Sequence, residues 1–305
     1  MEPFFSIIIP TYNRASLIGK AINSVLQQSF ADWELLVIDD GSTDNTKAVM
    51  GTYADSRIKY IYQQNAERCA ARNNGILQSK GKYITFLDSD DYYLPQRLQL
   101  LHKELEGKGM LDGFFYTGLQ LADIDTGKAE DKDVAVLSTN KYDNVALSMI
   151  HSQQVCASRN VFSTHLYNVN LSIGEDMELW LRIAKDYDLQ PVKQQCTVVV
   201  VEHSERSINV KNANPFIKQM ETYAVMFANG HAGNSISEEV KNALYANAYF
   251  GFAKYHIYKH EKMNGVYWLW KSINAKRNHP QNRYKLNLIR YLLFNPAKAV
   301  KLLHN

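Results

Sequence analysis

The chain has 305 residues, 46% of them hydrophobic, so it can bury a large core and suits one sizeable domain with an appendage. Its cysteines, Cys69, Cys156 and Cys196, are widely spaced and odd in number, which excludes a disulfide framework and a paired-cysteine metal site. The apolar N-terminal run is too short for a signal peptide, and no stretch approaches the roughly 18 apolar residues of a membrane span. We therefore expect a cytoplasmic protein, either free or held peripherally on the inner face of the membrane.

The net charge of +3 is distributed unevenly along the chain. Residues 211–305 contain 14 Lys and Arg against 4 Glu and no Asp, a net charge of +10, which leaves residues 1–210 with 20 basic and 27 acidic residues, or −7. After Glu261 there are nine basic residues and no acidic one, interleaved with six Tyr, Trp and Phe residues. Such a mixture favours contact with an anionic surface.

The first 110 residues alternate between apolar runs and segments with helical spacing. The apolar runs are FFSIIIP, WELLVIDD, IKYIYQ and YITFLD, and the helical segments between them are ASLIGKAINSVLQQS, DNTKAVMGTYA and CAARNNGILQSK. Because the connections are short, this β-α-β-α-β-α-β order predicts an α/β fold: an open, mostly parallel, Rossmann-like sheet with helices on both faces. In such sheets ligands bind beyond the carboxyl ends of the strands.

Polar clusters follow each of these apolar runs. They comprise Pro10 to Arg14, Asp39 to Ser42, the trio Asn65, Glu67 and Arg68, and Asp88 to Asp91. Turn chemistry explains each cluster singly, but four clusters at one edge favour a binding site. The chain has neither a GxGxxG fingerprint nor a Walker loop, so a nucleotide bound here is held in another way.

The acidic cluster at the end of the fourth run predicts a metal site. Asp88, Asp90 and Asp91 are close enough to repel one another unless a cation lies between them, and carboxylate oxygens suit Mg²⁺ or Mn²⁺. The alternative is an acidic loop that caps the following helix.

Residues 111–210 contain a second acidic landmark. DGFFYTGLQLAD and KDVAVLS are predicted as two strands flanking the turn IDTGK, and the pair Glu175 and Asp176 opens a helix. Acids in a first turn compensate the helix dipole, which is the purely structural interpretation of the pair. TVVVVEHSERSIN is predicted as a buried strand with His203 at its end, either a metal ligand or a surface residue.

From about residue 212 the sequence is helical and aromatic. The last helix is predicted to place Leu286, Ile289, Leu292 and Leu293 opposite Lys285 and Arg290. This pattern suits a packed bundle or dimer interface, and it also suits a helix lying on a membrane surface.

Four segments carry a resemblance to a known family. SIIIPTYNR, ELLVIDDGSTDNT, AARNNGI and GKYITFLDSDDYYLP, in this order, resemble the family 2 glycosyltransferases, inverting nucleotide-sugar enzymes with the GT-A fold. The resemblance covers the first 110 residues closely and extends more loosely to about residue 210. It implies a GT-A domain over 1–210, with a nucleotide-sugar half over 1–110 and an acceptor half over 111–210, followed by a basic helical region over 211–305. Glu67 departs from the family, whose members often have Gly there.

The resemblance also implies roles for individual residues. Residues around Thr11, Tyr12 and Arg14 line the base pocket, Asp39 accepts a hydrogen bond from uracil, and Arg68 reaches the diphosphate. Asp88 faces the ribose, and Asp90 ligates a Mn²⁺ or Mg²⁺ ion, with Asp88 and His203 as further ligands. Asp176 is the general base and Glu175 contacts acceptor hydroxyls. The implied donor-binding residues are Pro10, Thr11, Tyr12, Arg14, Asp39, Arg68, Arg72, Asn73, Asp88, Ser89 and Asp90. The alternative for Arg72 and Asn73 is a buried salt bridge and a helix cap.

The implied reaction moves a sugar from a nucleotide diphosphate, expected to be UDP, to a hydroxyl of a glycan or lipid-linked glycan in cell-surface polysaccharide synthesis. One alternative is a nucleotide- or nucleic-acid-binding protein that uses the basic C-terminal region, and another is a nucleotidyltransferase. Carboxylates at 88, 90 and 176 would hinder polyanion binding, so no nucleic acid is expected, and no glycine-rich phosphate loop supports a nucleotidyltransferase. Residues 211–305 are expected to contact an anionic membrane or a second copy of the chain.

Overall fold

The structure is a computed structural model that describes residues 2–123, 127–192, 198–202 and 214–303. The chain divides into two compact units, Met1–His203 and Ser204–Asn305. Each unit is described by itself.

The first part of the amino-terminal unit has the predicted alternation of strands and helices. The elements are β1 (Phe5–Thr11), α1 (Ile18–Leu26), β2 (Trp33–Asp39), α2 (Thr46–Met50), β3 (Ile58–Tyr62), α3 (Glu67–Gln78) and β4 (Tyr83–Phe86). After β4 the chain forms β5 (Tyr92–Tyr93), α4 (Arg97–Gly107), β6 (Phe114–Thr117), β7 (Leu119–Asp123), β8 (Ala129–Lys132), α5 (Lys141–Ser148), β9 (Val155–Ser158), α6 (Arg159–Thr164), α7 (Glu175–Asp186), β10 (Leu189–Val192) and β11 (Val198–Glu202).

Seven of the described strands form the main sheet, in the order β10-β6-β9-β4-β1-β2-β3. Its pairs are parallel except for β9, which runs antiparallel to β4 and β6. Successive residues of β1 face opposite sides: Ile7 and Ile9 belong to the core cluster that includes α1, while Ile8 touches α3 beside Gly75. Helices therefore cover both faces, and the predicted fold class is confirmed.

The register of β1 and β2 positions the ends of these strands. Thr11 pairs with Asp39, so the two polar clusters that follow the strands lie side by side at the carboxyl edge of the sheet. Both strands are buried along their whole length, as expected for a sheet covered on both faces.

A second sheet was not predicted. It has the order β5-β11-β7-β8, and β11 pairs with β7 in parallel across a long separation in sequence. The predicted strand KDVAVLS is wrong, because β8 consists of the preceding residues, Ala129–Lys132. The β7–β8 register pairs Ala122 with Ala129 and Leu119 with Lys132, which ends the ladder before Val136, whose side chain is 63% exposed.

The carboxyl-terminal unit is helical in its described part. Its α-helices are α8 (Asn214–Met226), α9 (Glu238–Tyr258), α10 (Lys262–Ala275), α11 (Asn282–Phe294) and α12 (Pro296–Leu302). The single terminal helix expected from the sequence is broken at Asn295, because the residue before a proline is disfavoured in helical geometry. In the described part of the chain no helix is both long and apolar enough to cross a membrane.

The predicted orientation of α11 is wrong. Lys285 was expected on the polar face, but it is fully buried together with Leu288 and Leu292, while Leu286 and Leu293 are exposed. The Lys285 ammonium lies 5.1 Å from the centre of the Phe250 ring, and no hydrogen bond from it is made within the described residues. Burial lowers the pKa of Lys285 from 10.5 to about 8.

Replacing Lys285 with Met should stabilise the carboxyl-terminal unit in a pH-dependent way. The folded state loses the lysine proton at a lower pH than the unfolded chain, so the burial penalty is complete below about pH 8 and disappears as the pH rises to 10.5. We expect Lys285→Met to raise the free energy of unfolding by about 1 to 3 kcal/mol at pH 7, with the gain vanishing near pH 10.5. Denaturant unfolding at several pH values measures this.

The control is Arg283→Met, which removes an exposed charge from the same helix. It should change the free energy of unfolding by no more than about 0.5 kcal/mol. A Lys285→Met gain that stays constant between pH 7 and 10.5 would contradict the buried-charge explanation.

Candidate active site

The loops after β1 and β2 are tied together by Asn13. Its backbone has φ 51°, in the left-handed region that Asn tolerates better than most residues. The Asn13 Oδ1 accepts hydrogen bonds from the Thr43 amide (2.8 Å) and the Asp44 amide (3.3 Å), and its own amide donates to Ser42 Oγ (2.8 Å). The sequence placed these residues at the same edge, and the structure shows that they bind one another.

The predicted base pocket lies beside these loops. Thr11 and Asp39 are buried, whereas the Tyr12 side chain is 48% exposed. Asp39 Oδ1 accepts from the Ser42 amide (2.8 Å) and Oδ2 from the Tyr60 hydroxyl (2.5 Å). Burial and this carboxylate raise the pKa of Tyr60 above its ordinary value. Tyr60 was not predicted as a site residue, because only the β2–β3 pairing brings it to Asp39.

Two more of the predicted donor-binding residues accompany this pocket. Pro10 lies in β1 and is buried. Its missing N–H does not interrupt the β1–β4 pairing, which covers Phe5 to Ile8. The Arg14 amide donates to Thr46 Oγ1 (3.3 Å), which connects the first loop to α2.

Arg72 of α3 joins the two acidic motifs. Its side chain is buried, and its Nη2 lies 2.9 Å from Asp88 Oδ1 at the end of β4. Nη1 lies 3.3 Å from Glu175 Oε1 and 3.7 Å from Asp176 Oδ1, both at the start of α7. The guanidinium carbon is also 5.3 Å from the centre of the Tyr167 ring. One buried cation thus contacts carboxylates from segments about 90 residues apart.

Arg72 also controls the ionisation of Asp88. Burial acts to raise the pKa of this carboxyl, but the charge and hydrogen bond of Arg72 hold it below its ordinary value. Asp88 is therefore held as a carboxylate at neutral pH.

Arg68 and Glu175 contact each other, which was not predicted. Arg68 Nε lies 2.8 Å from Glu175 Oε1, and the same guanidinium donates to the Ser172 carbonyl, so its contacts are to the acidic motif. Glu175 is 4% exposed and lies between two guanidinium groups. Burial and the neighbouring Asp176 raise the pKa of Glu175. This geometry favours a role in holding Arg68 and Arg72, and direct contact of Glu175 with an acceptor hydroxyl stays a prediction.

Asn73 holds the segment that carries Tyr167. Its Nδ2 donates to the Tyr167 carbonyl and its Oδ1 accepts from the Tyr167 amide, both at 2.9 Å. Both ends of the Asn73 side-chain amide are therefore bonded to Tyr167, and binding of Asn73 to the donor stays a prediction.

Asp176 is the more accessible member of the acidic pair. Its side chain is 23% exposed, against 6% for Glu175. It accepts hydrogen bonds from Ser152 Oγ (2.6 Å) and the Ser152 amide (3.1 Å), and Ser152 Oγ lies 2.7 Å from the Tyr167 hydroxyl. Ser152 and Tyr167 were not predicted, because neither belongs to a motif and only the fold brings them to α7.

The acidic cluster after β4 separates into two kinds of side chain. Asp88 and Asp90 are partly exposed, whereas Asp91 is 1% exposed and accepts from Gln153 Nε2 at 2.7 Å. Ser89 is also buried. Asp91 therefore braces the loop, and the carboxylates of Asp88 and Asp90 remain as candidate ligands.

A divalent cation fits this donor set. Mg²⁺ and Mn²⁺ take hard oxygen ligands, and Mg²⁺ is commonly held by one or two carboxylates with the remaining positions filled by substrate phosphates and water. His203, the third predicted ligand, lies outside the described residues. Within the described residues no group of three or more His, Cys, Asp and Glu is placed to hold an ion by itself.

The backbone conformation of Glu67 explains why glycine is common at this position in the family that the sequence resembles. Glu67 begins α3 with φ 70°, a conformation that costs a non-glycine residue roughly 1–2 kcal/mol. The glycine common at this position in the family has no such cost.

The sheet order and the helices on both faces define the fold class of this protein as GT-A. A solved structure of Staphylococcus aureus TarS residues 1–349 with UDP-GlcNAc aligns with a TM-score of 0.61 over 97% of this chain and 89% of that one, at 17% identity. This likeness shows the fold.

The sequence comparisons show the family. The model for glycosyl transferase family 2 matches residues 6–119. The chain is 30% identical over 190 residues to the putative teichuronic acid biosynthesis glycosyltransferase TuaG of Bacillus subtilis, covering 60% of this chain and 73% of TuaG. It is also 45% identical over 96 residues to the Escherichia coli UDP-Glc:α-D-GlcNAc-diphosphoundecaprenol β-1,3-glucosyltransferase WfgD, covering 31% of this chain and 38% of WfgD. The chain belongs to glycosyltransferase family 2.

Some relatives are much longer. An uncharacterised glycosyltransferase of Rickettsia conorii is 33% identical over 196 residues, which is 64% of this chain but 32% of that protein. The chain thus spans about a third of the length of that relative.

Replacing Arg72 with Met should strongly destabilise the amino-terminal unit. The substitution leaves Asp88, Glu175 and Asp176 with one cation fewer in a buried setting, and breaking a buried ion pair on one side typically costs about 3–5 kcal/mol. Denaturant unfolding of the whole chain measures the loss. Arg72→Lys, which keeps the charge but not the two-sided bridge, should retain part of the stability.

The matched control is Arg159→Met. Arg159 pairs with Glu2 at 3.5 Å, and both side chains are exposed, so its loss should cost at most about 1 kcal/mol. Equal losses from the two Met substitutions would show that Arg72 does not organise the site.

Proposed function

We propose that this chain is an inverting glycosyltransferase that moves a sugar from a UDP-linked donor to a hydroxyl of a glycan or lipid-linked glycan. The observation that carries the proposal is the Arg72 bridge, which contacts both Asp88, beside the candidate donor and metal ligands, and Asp176, the candidate base. Donor activation and acceptor activation need carboxylates on opposite sides of one reacting carbon. The bridge brings Asp88 and Asp176 to one guanidinium, which supports assigning the two activations to these carboxylates.

Two observations support a UDP donor. The carboxyl edge of the sheet next to Thr11 and Asp39 contains a buried carboxylate and loop amides, and nucleotides bind at this edge in this architecture. The name of WfgD includes UDP-glucose, and TarS was solved with UDP-GlcNAc. We propose that the eleven donor-binding residues predicted from the sequence form the donor site. Arg68, Arg72 and Asn73 contribute to it through the contacts described above.

In the proposed mechanism Asp176 takes the proton of the acceptor hydroxyl. The acceptor oxygen forms a bond to the anomeric carbon as the bond from that carbon to the diphosphate breaks, and the electron pair leaves with UDP. Ser152 orients Asp176 through two hydrogen bonds, and Glu175 fixes both arginines behind it. Asp90 with Asp88 would hold a divalent cation, which supplies charge neutralisation for the departing diphosphate.

The relatives also support the nature of the acceptor. The name of TuaG refers to teichuronic acid biosynthesis, and that of WfgD to a sugar carried on diphosphoundecaprenol. We propose a role in cell-surface polysaccharide synthesis on the cytoplasmic side of the membrane, where nucleotide sugars are made. The basic helical region 211–305 would then serve attachment, to an anionic membrane or to a second copy of the chain.

Replacing Asp176 with Asn should abolish most turnover while sparing donor binding. The amide keeps the volume and a hydrogen-bond acceptor but cannot accept the proton, so kcat should fall by at least about 100-fold, the lower end for general base catalysis. UDP affinity should barely change, since the lost interaction develops in the transition state. Steady-state kinetics with a UDP-sugar panel and calorimetry with UDP measure the two quantities.

Glu239→Gln is the control for loss of a helix-terminal charge. Glu239 lies in the first turn of α9 with its side chain 81% exposed, and its replacement should lower stability by about 0.3–1 kcal/mol and leave kcat unchanged. An Asp176→Asn protein that is slightly less stable but transfers sugar at the parent rate would exclude Asp176 as the base.

Replacing Asp90 with Asn should weaken UDP binding in the presence of Mn²⁺. The change removes a charged candidate ligand and conserves its shape, so UDP affinity with Mn²⁺ should fall at least about tenfold, which is about 1.4 kcal/mol. In EDTA the parent and the variant should bind UDP equally weakly. Isothermal calorimetry with and without EDTA tests this, and Glu130→Gln on β8 is the exposed control. Equal UDP affinities in all four conditions would remove the metal from the proposal.

A further inference from the structure

Helix α10 exposes a stripe of large apolar side chains. Met263, Tyr267 and Trp270 are 68%, 48% and 59% exposed and follow one another at intervals of four and three residues, so they lie on one side of the helix. The residues of α10 that are buried, Gly265, Leu269 and Ser272, lie on the opposite side. The stripe therefore faces away from the core of the helical unit.

Helix α11 exposes a second set. Leu286, Leu293 and Phe294 are 55%, 41% and 82% exposed, while Leu288 and Leu292 are buried in the core. The two helices meet where the Lys262 ammonium donates to the Leu293 carbonyl at 3.1 Å, next to both Met263 and Phe294. We call the six exposed residues the outer apolar face: Met263, Tyr267, Trp270, Leu286, Leu293 and Phe294.

Basic residues surround the outer apolar face. From Lys262 to the end of the sequence there are nine Lys and Arg, of which Lys285 is buried, and no Asp or Glu. Arg290 is exposed between Leu286 and Leu293, and the Lys271 ammonium lies 5.1 Å from the centre of the Tyr267 ring. Apolar and cationic side chains are thus presented together.

We propose that the outer apolar face inserts into the headgroup region of an anionic lipid bilayer. Trp and Tyr favour the membrane interface, where an apolar ring and a polar edge are both satisfied, and nearby Lys and Arg bind anionic headgroups. A second copy of the chain is a poorer partner, because two surfaces that each belong to a region of net charge +10 repel one another. The inference goes beyond the proposed sugar transfer and does not depend on it.

The test is flotation of the full chain with lipid vesicles. We expect the protein to float with vesicles of phosphatidylcholine and phosphatidylglycerol at low salt, to be released by high salt, and not to float with phosphatidylcholine alone. The double variant Trp270→Ser, Phe294→Ser should bind anionic vesicles roughly tenfold or more weakly. The double variant Leu77→Ser, Val169→Ser removes two exposed apolar side chains from the other unit and should float like the parent.

Four results would overturn the inference. The first is a parent protein that ignores anionic vesicles at low salt. The second is a Trp270→Ser, Phe294→Ser variant that floats as well as the parent while circular dichroism shows that it is folded. The third is sedimentation equilibrium in which the parent is a dimer and this variant a monomer, which would assign the face to a second copy. The fourth is tight binding of single-stranded RNA without vesicle binding, which would assign the face to nucleic acid.

Discussion

The buried guanidinium of Arg72 is the constraint on which the rest of the site depends. A charge removed from water is tolerated only when it is paired and hydrogen-bonded, so Arg72 can be buried only where Asp88 and the acidic pair of α7 surround it. The carboxylates come from the end of β4 and from a helix that begins at residue 175, which lies 103 residues after Arg72. The requirement to pair one cation thus draws the two halves of the amino-terminal unit to a single point at the carboxyl edge of the sheet.

This arrangement gives neighbouring acids different environments. Glu175 is enclosed by Arg68 and Arg72, whereas Asp176 is partly exposed and held by the Ser152 amide and hydroxyl. In the DSDD segment, Asp91 is buried against Gln153, whereas Asp88 and Asp90 reach solvent. Within each motif one acid is buried against a neighbouring side chain and another reaches solvent, so two short runs of like charge can coexist in one site.

The parts of the fold that could be predicted are those with local signals. Apolar runs separated by helical segments and ended by turn residues indicated β1 to β4 and the edge where the polar clusters meet. The second sheet could not be predicted, because β11 pairs with β7 only through a long-range parallel contact. Lys285 was misplaced for a related reason: helical spacing indicates that α11 has two sides but does not say which side the core of its unit will cover.

Within the site, too, local sequence signals could be predicted and long-range contacts could not. The DSDD and ED motifs identified acidic residues, but Tyr60, Ser152 and Tyr167 belong to no motif and reach these acids only through tertiary contacts. The positive φ of Glu67 could be anticipated from the glycine common in the family at that position.

The proposed inversion requires the donor and the base to lie on opposite sides of the anomeric carbon. Slow hydrolysis of the donor, with water in place of the acceptor, tests this without knowledge of the acceptor. The parent protein is incubated with α-linked UDP-sugars and a divalent cation, and the first free sugar released is followed by proton NMR before it mutarotates. We expect the β anomer as the initial product. Initial release of the α anomer would exclude inversion.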